Sequence, residues 1–266
     1  MTISQEYQRR LTAAVRFADE AGRLTLDYFQ TDRFDVERKS DDSPVTVADR
    51  GAEQRLRERI VAEFAADGII GEEFGEQTGQ SGFRWILDPI DGTKSFISGV
   101  PLYGTMVAVE HEGRGVVGAV YIPGLDEMIF AATGQGAWYR RGSAEPTPAR
   151  VSTRSSLADG LFITSQVDSF DKRGAADAFA ELQRRAYITR TWGDCYGYLL
   201  VATGRAEVMV DPIMNVWDAA AVQPIMEEAG GSFTDWNGNA TIHSGEGIGT
   251  NRLVLEEVLA ITRAKS

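Results

Sequence analysis

The sequence contains one cysteine, Cys195, in 266 residues. That excludes an intrachain disulfide and any zinc site built on several thiolates. Histidine is nearly as scarce, with only His111 and His243. Zinc hydrolases and phosphatases with a histidine nucleophile usually need more, which argues against both classes. Basic residues are outnumbered, 27 against 39 acids, for a net charge of −12. So acidic a chain offers no basic patch for nucleic acid and no cationic face for a membrane. No apolar run is long enough to span a bilayer, and the polar N-terminus lacks the apolar core of a signal peptide. The cytoplasm is therefore the expected compartment. The phosphate loop Gly-x-x-x-x-Gly-Lys-Ser/Thr is missing too, which removes P-loop chemistry.

What is present is an ordinary globular composition, 43% apolar and 25% charged, on a chain long enough for one large domain or two lobes. Leu11, Ala14, Val15, Ala18, Ala21, Leu24 and Tyr28 recur at three- and four-residue spacing, the stripe of an amphipathic helix. Residues 33–42 are charged and read as a loop or hairpin. A second helix follows with Asp49 in its first turn and Ala52, Leu56, Ile60 and Phe64 as its stripe, ending at Asp67-Gly68. Ile69-Ile70-Gly71 is a short strand that delivers Glu72 and Glu73. Residues 75–82, rich in Gly, Gln and Ser, read as a flexible link.

From Tyr103 the pattern turns to β, with strands over 103–110, 115–122, 127–132 and 136–139 and Gly113 in the first hairpin turn. Residues 143–148 are the best linker candidate. They divide an N-terminal α+β lobe, 1–145, from a C-terminal α/β lobe, 146–266. In the latter, strands over 161–164, 187–190, 208–210 and 232–234 alternate with helices over 175–184, 196–203, 219–228 and 253–263. That alternation predicts a sheet covered by helices. His111 and His243 lie in hairpin-like loops, and both are expected to be solvated.

The stretch that organises the chain is Trp85-Ile86-Leu87-Asp88-Pro89-Ile90-Asp91-Gly92-Thr93-Lys94-Ser95. An apolar run reads as a buried strand, and it ends in two carboxylates with Pro89 between them. Pro89 is expected to stop the ladder and fix the turn. Two carboxylates in one place repel unless a proton or a cation separates them. Hard oxygen donors suit Mg²⁺. Gly92 allows a ligand close to backbone N–H groups, and the start of a helix attracts phosphate.

Further acids stand at element ends: Asp49, Glu72 with Glu73, and Asp218 in Val216-Trp217-Asp218-Ala219-Ala220-Ala221. Each alone also reads as a helix cap or a solvated charge. Together they could form a carboxylate cage for two or three metal ions without histidine. Haloacid-dehalogenase phosphatases need two aspartates two residues apart, whereas Asp88 and Asp91 are three apart.

Gly71-Glu72-Glu73, Asp88-Pro89-Ile90-Asp91-Gly92-Thr93 and Trp217-Asp218-x-Ala220 resemble, in order, the metal motifs of the inositol monophosphatase family of Mg²⁺-dependent, lithium-sensitive phosphatases. The resemblance runs from Lys39 to the C-terminal helix. It implies a layered αβαβα sandwich, usually a homodimer, with two or three Mg²⁺ per subunit. It also implies that Glu72, Asp88, the Ile90 carbonyl, Asp91 and Asp218 are metal ligands. By the same resemblance, Asp49 and Thr93 hydrogen-bond the nucleophilic water, Gly92 and Thr93 offer N–H groups to phosphate, and Lys39 visits the site from a loop. Phosphate monoesters hydrolyse slowly enough that the barrier must fall by about 20 kcal/mol, a task suited to metal clamping of an in-line displacement. Glu72 is the expected base.

Substrate choice should rest on residues facing the alcohol. Asp194 reads equally as a helix cap or a substrate contact, and Asp211 ends a strand shortly before Asp218. Trp192, Tyr196 and Tyr198 read first as core. Two anions beside a phosphate pocket suggest a cationic alcohol portion. The stretch Trp192-Gly193-Asp194-x-Tyr196-Gly197-Tyr198, with Asp211-Pro212 and Asn215, looks like the histidinol-phosphate phosphatase branch of the family more than the inositol branch. The expectation is hydrolysis of L-histidinol phosphate. Inositol-1-monophosphatase or broad sugar-phosphate activity is the alternative, and a 3′-phosphoadenosine nucleotidase is disfavoured by the acidic balance. A metal-dependent phosphate-ester sensor is the alternative outside enzymes.

Overall fold

The computed structural model of the chain describes residues 2–31, 35–38 and 44–263, and Lys39 lies outside them. Helix α1 (Ile3–Thr25) opens on a capping box in which Thr2 and Gln5 exchange hydrogen bonds, satisfying two N–H groups that a helix start leaves over. Strands β1 (Glu37–Arg38) and β2 (Pro44–Val45) pair antiparallel. Helix α2 (Val47–Glu63) begins on a second capping box, Thr46 with Asp49. It ends at Phe64, earlier than the expected Asp67-Gly68. Asp67 has a different task. It is buried, pairs with Arg10 of α1 through both oxygens, and accepts from the Trp85 indole.

Next come β3 (Gly68–Gly71), β4 (Gly75–Gln77), β5 (Phe83–Asp91), α3 (Thr93–Ile97), β6 (Gly104–His111), β7 (Arg114–Ile122), β8 (Glu127–Ala132), β9 (Ala137–Arg141) and β10 (Thr147–Pro148). They form an eight-stranded sheet in the order β10-β9-β8-β7-β6-β5-β3-β4. Only the β3–β5 pair is parallel. Two stretches expected to be irregular belong to its edges. Gly75–Gln77 pairs with β3, and Thr147–Pro148 pairs with β9. Edge strands need bonds on one side only, so Gly- and Pro-bearing segments can serve there. Both histidines also have partners. His111 stacks on Phe83 and meets the Tyr7 hydroxyl, and His243 Nε2 lies 2.9 Å from Glu110 Oε1.

The second half runs β11 (Leu161–Ile163), α4 (Asp168–Arg173), α5 (Ala176–Arg185), β12 (Ile188–Arg190), α6 (Cys195–Ala202), β13 (Val208–Asp211), α7 (Val216–Ala220), α8 (Val222–Glu228), β14 (Ser232–Thr234), β15 (Gly247–Thr250) and α9 (Leu255–Thr262). Its five strands lie in the order β12-β11-β13-β15-β14, the first three mutually parallel. Where one helix was expected over 219–228, two occur, joined at Ala221. Pro224 has no N–H for the Ala220 carbonyl four residues back, which breaks the ladder. The break lets the helix pair lie flat on the large sheet: a Cβ at Gly118 of β7 would fall 2.1 Å from the Ala221 carbonyl oxygen.

Strand alternation sends side chains to opposite faces, and here it builds five layers. Trp85, Leu87, Val107, Val109 and Tyr121 face α1 and α2. Ile86, Met106, Ala108 and Val120 face the other way, onto α6, α7 and α8. Those helices also cover Met209 and Phe233 of the small sheet. The far face of that sheet, with Phe162, Val208, Val210 and Ile248, packs under α5 and α9. The result is the expected αβαβα sandwich. Among the described residues, no helix is long and apolar enough to cross a membrane.

Candidate active site and metal centre

Parallel strands deliver their carboxyl ends to one place, and open sheets bind ligands there. In the large sheet Gly71 is in register with Leu87, and Glu72 N donates to the Leu87 carbonyl at 3.2 Å. Glu72 and Asp88 are therefore neighbours. Pro89 does not end β5, contrary to the expectation. The strand absorbs it as an irregularity between Asp88 and Asp91, pinned by the Thr105 hydroxyl donating to the Pro89 carbonyl at 2.8 Å. That bulge turns Asp88 and Asp91 to the same side. Asp218, in the first turn of α7, comes in from the helix layer. Asp88, Asp91 and Asp218 each bring a carboxylate oxygen within 4.8 Å of the other two.

These acids line a cleft of about 330 Å³ together with Glu72, Ile90, Gly92, Thr93, Asp194 and Asp211. Burial comes first among the causes that lift the acids' pKa values, and mutual repulsion adds to it. Asp88 is held well above the usual carboxylate range by burial, then by Glu72, Asp91 and Asp218. Asp91 is raised in the same way, with Asp194 as its largest charged neighbour. Asp218 is pushed up to about 7, although the Asn215 N–H donates to it at 2.6 Å. Asp91 Oδ2 accepts from the Cys195 N–H. Asp88 is 2% exposed, and its Oδ1 has no hydrogen-bond partner in the protein.

A buried carboxylate oxygen without a donor, in a cluster of like charges, calls for a proton or a cation. The donor set is all hard oxygen, which fits Mg²⁺ better than zinc or copper.

Thr93 opens α3 beside these acids. Its hydroxyl lies 3.1 Å from the Ile90 carbonyl and 3.5 Å from Asp49 Oδ1. Asp49 itself is 1% exposed and stands behind Thr93, and its Oδ2 takes the N–H and hydroxyl of Thr46. Burial lifts it to about 6. Asp49 and Asp218 do both cap their helices, each from the third helical position back to the cap residue. Capping and site geometry coexist in the same side chains. Gly92 has φ 83°, a left-handed conformation that favours glycine.

On the opposite side, Asp211 accepts from the Ser165 hydroxyl at 2.7 Å and the Tyr198 hydroxyl at 2.9 Å, and burial raises it to about 6. Asp194 occupies the cap position of α6, but its side chain makes no capping bond. It lines the cleft instead. Tyr198 is buried. Trp192, read as core, is 43% exposed with the Arg190 guanidinium over its ring. Cys195, whose place the sequence left open, is buried and also lines the cleft. Ser165, the Tyr198 hydroxyl and the Cys195 N–H had no role in the sequence analysis. A serine just past a strand end was the one available signal for them.

The inositol monophosphatase family model matches residues 6–266. The chain belongs to this family. A histidinol-phosphatase of Chlorobaculum parvum is 46% identical over 238 residues, 90% of each chain. One of Mycobacterium tuberculosis is 36% identical, over 94% of this chain and 96% of that protein. Among solved structures, an inositol monophosphatase from Zymomonas mobilis superposes with a TM-score of 0.85 at 31% identity, over 97% of this chain and 98% of that one. As a member of the inositol monophosphatase family, this chain is a phosphoric monoester hydrolase acting on a small phosphorylated substrate.

Proposed function

We propose that the chain hydrolyses L-histidinol phosphate to L-histidinol and phosphate in a Mg²⁺-dependent reaction. The observation that carries the substrate choice is the pair of acids Asp194 and Asp211, lining the same cleft as the acid cluster. Histidinol carries an ammonium and an imidazole, and two nearby carboxylates attract both. A neutral polyol gains less from buried negative charge. The names of the Chlorobaculum and Mycobacterium relatives support the same choice.

Glu72, Asp88, the Ile90 carbonyl, Asp91 and Asp218 would hold two or three Mg²⁺ ions. When bound, these ions supply positive charge against the acids and the phosphate and make water a competent nucleophile near neutral pH. Glu72 takes the proton of the attacking water. The Thr93 hydroxyl, within reach of both the Ile90 carbonyl and Asp49, orients that water. The Gly92 and Thr93 N–H groups hold phosphate oxygens. A water oxygen bonds to phosphorus, the ester P–O bond breaks, and the departing alkoxide takes up one proton, balancing the one that Glu72 removed from the water. Lys39 is a further proposed contact with the substrate, and a cytoplasmic homodimer goes with this reading.

The test is phosphate release from L-histidinol phosphate and inositol 1-phosphate at matched concentrations, with Mg²⁺ and with EDTA. Faster turnover of histidinol phosphate, abolished by EDTA, is the expected result. Equal or faster turnover of inositol phosphate overturns the substrate, and release unaffected by EDTA overturns the metal. Asp194→Asn should lower activity on histidinol phosphate more than on a neutral phosphate ester.

A further inference from the structure

Three strand ends meet on the alcohol side of the cleft. Ile163 of β11 is in register with Arg190 of β12 and with Met209 of β13. Two residues further on, Ser165 faces Asp211. The segment after β12 turns back over the same spot: a Cβ on Gly193 would lie 2.1 Å from Ser165 Cα, so only glycine permits that approach. Ser165 Oγ then accepts from the Asp194 N–H at 2.8 Å and offers its single proton to Asp211 Oδ1 at 2.7 Å. One hydroxyl ties together the two acids proposed to receive the substrate's cation.

Asp194 has φ 52° and ψ −156°, a region that is essentially glycine's own. A non-glycine residue stays there only when its surroundings over-determine it. The two flanking bonds do this, with Asp194 N on Ser165 and Cys195 N on Asp91. Glycine would suit this backbone without strain, so aspartate is present for its carboxylate. The conformation carries that carboxylate over the phosphate turn, where Oδ2 stands 2.8 Å from the position a Cβ of Gly92 would take.

We infer that Ser165 is a specificity-determining positioning residue: by holding the Asp194 backbone and the Asp211 carboxylate together, it sets where a cationic alcohol portion can sit relative to the phosphate. This inference rests on the histidinol-phosphate reading above.

The experiment compares wild type, Ser165→Ala, the Asp194→Asn/Asp211→Asn pair and the triple variant on L-histidinol phosphate and on glycerol 2-phosphate, in Mg²⁺. The readout is the ratio of the two kcat/KM values. Loss of a hydrogen bond to a charged group predicts that Ser165→Ala lowers this ratio about tenfold, mostly through KM for histidinol phosphate. Because Ser165 acts through Asp194 and Asp211, adding Ser165→Ala to a variant that carries both Asp194→Asn and Asp211→Asn changes the ratio less than about twofold, since coupled residues are not additive. Should Ser165→Ala fold poorly, Ser165→Cys keeps nearly the same volume with a much weaker donor and should move the ratio the same way. A fall of both activities by one common factor, leaving the ratio unchanged, marks a merely structural serine and overturns the inference alone. Additive effects of Ser165→Ala on the Asp194→Asn/Asp211→Asn background also overturn it. Absence of histidinol phosphate turnover by wild type overturns the functional reading and this inference with it.

Discussion

Asp88 and Asp211 make an instructive pair. Asp211 ends β13 and Asp88 stands three residues before the end of β5; each is buried, and both line the same cleft. Asp211 is supplied by the protein, with Ser165 on one oxygen and Tyr198 on the other. Asp88 is not: its Oδ1 has no protein donor, and its neighbours Glu72, Asp91 and Asp218 are further acids. Burial raises the pKa of both, so burial does not distinguish them. The difference is what surrounds them. A carboxylate given donors by its own fold is a fixed anion that can hold a cationic substrate group. A carboxylate given only other carboxylates requires a counter-ion from outside.

The largest effect is expected at Asp88. Asp88→Asn should lower Mg²⁺-dependent activity by at least about a hundredfold, the scale on which one electrostatic stabiliser acts. The same variant should raise the melting temperature in EDTA, because one of the crowded charges is gone. Retained activity, or a lower melting point in EDTA, would remove the contrast between the two walls.

The crowded acids should also make stability depend on pH. Asp218 rises to about 7 and Asp88 and Asp91 are raised well above the usual range. A carboxyl group whose pKa is higher in the folded than in the unfolded state binds more protons when folded, so its contribution to stability is lost as pH rises. In EDTA, stability should therefore be greatest near pH 4 and decline as pH climbs through about 7. Saturating Mg²⁺ should abolish most of that decline. Calorimetric melting at several pH values, with and without the ion, reads both effects. A flat profile in EDTA would contradict the crowding of these acids.

The smallest effect is expected on the other wall. Tyr198→Phe removes a donor from Asp211 Oδ2 and should cost about 1–3 kcal/mol of stability, as loss of one partner of a buried polar group does. Denaturant unfolding with Mg²⁺ present measures it. A cost indistinguishable from zero would mean that Asp211 needs no help from Tyr198.

Legibility in the sequence follows the same divide. The run from Asp88 to Thr93 could be read because strand, turn and helix start are adjacent in the chain, so that local chemistry forces the acids together. Asp218 was legible as an acid opening a helix of small residues. Ser165 was not, because its role arises from the register of three parallel strands, and long-range pairing leaves no mark on one strand alone. The break at Ala221 did have a signal in Pro224, a residue that a helix interior rarely tolerates. Gly75–Gln77 and Thr147–Pro148 resembled loops because edge strands carry weak patterns. Asp67 looked like a helix terminator until its distant partner Arg10 was in view.

The close seat of α7 and α8 on Gly118 has a consequence for the history of each molecule. Asp218 reaches the other acids only after that late-sequence helix pair has settled on a sheet made from the first half of the chain. Without that contact Asp88 and Asp91 would still lie close together on β5, but Asp218 would be away from them. The acid cluster is thus completed by the packing of one half of the chain against the other.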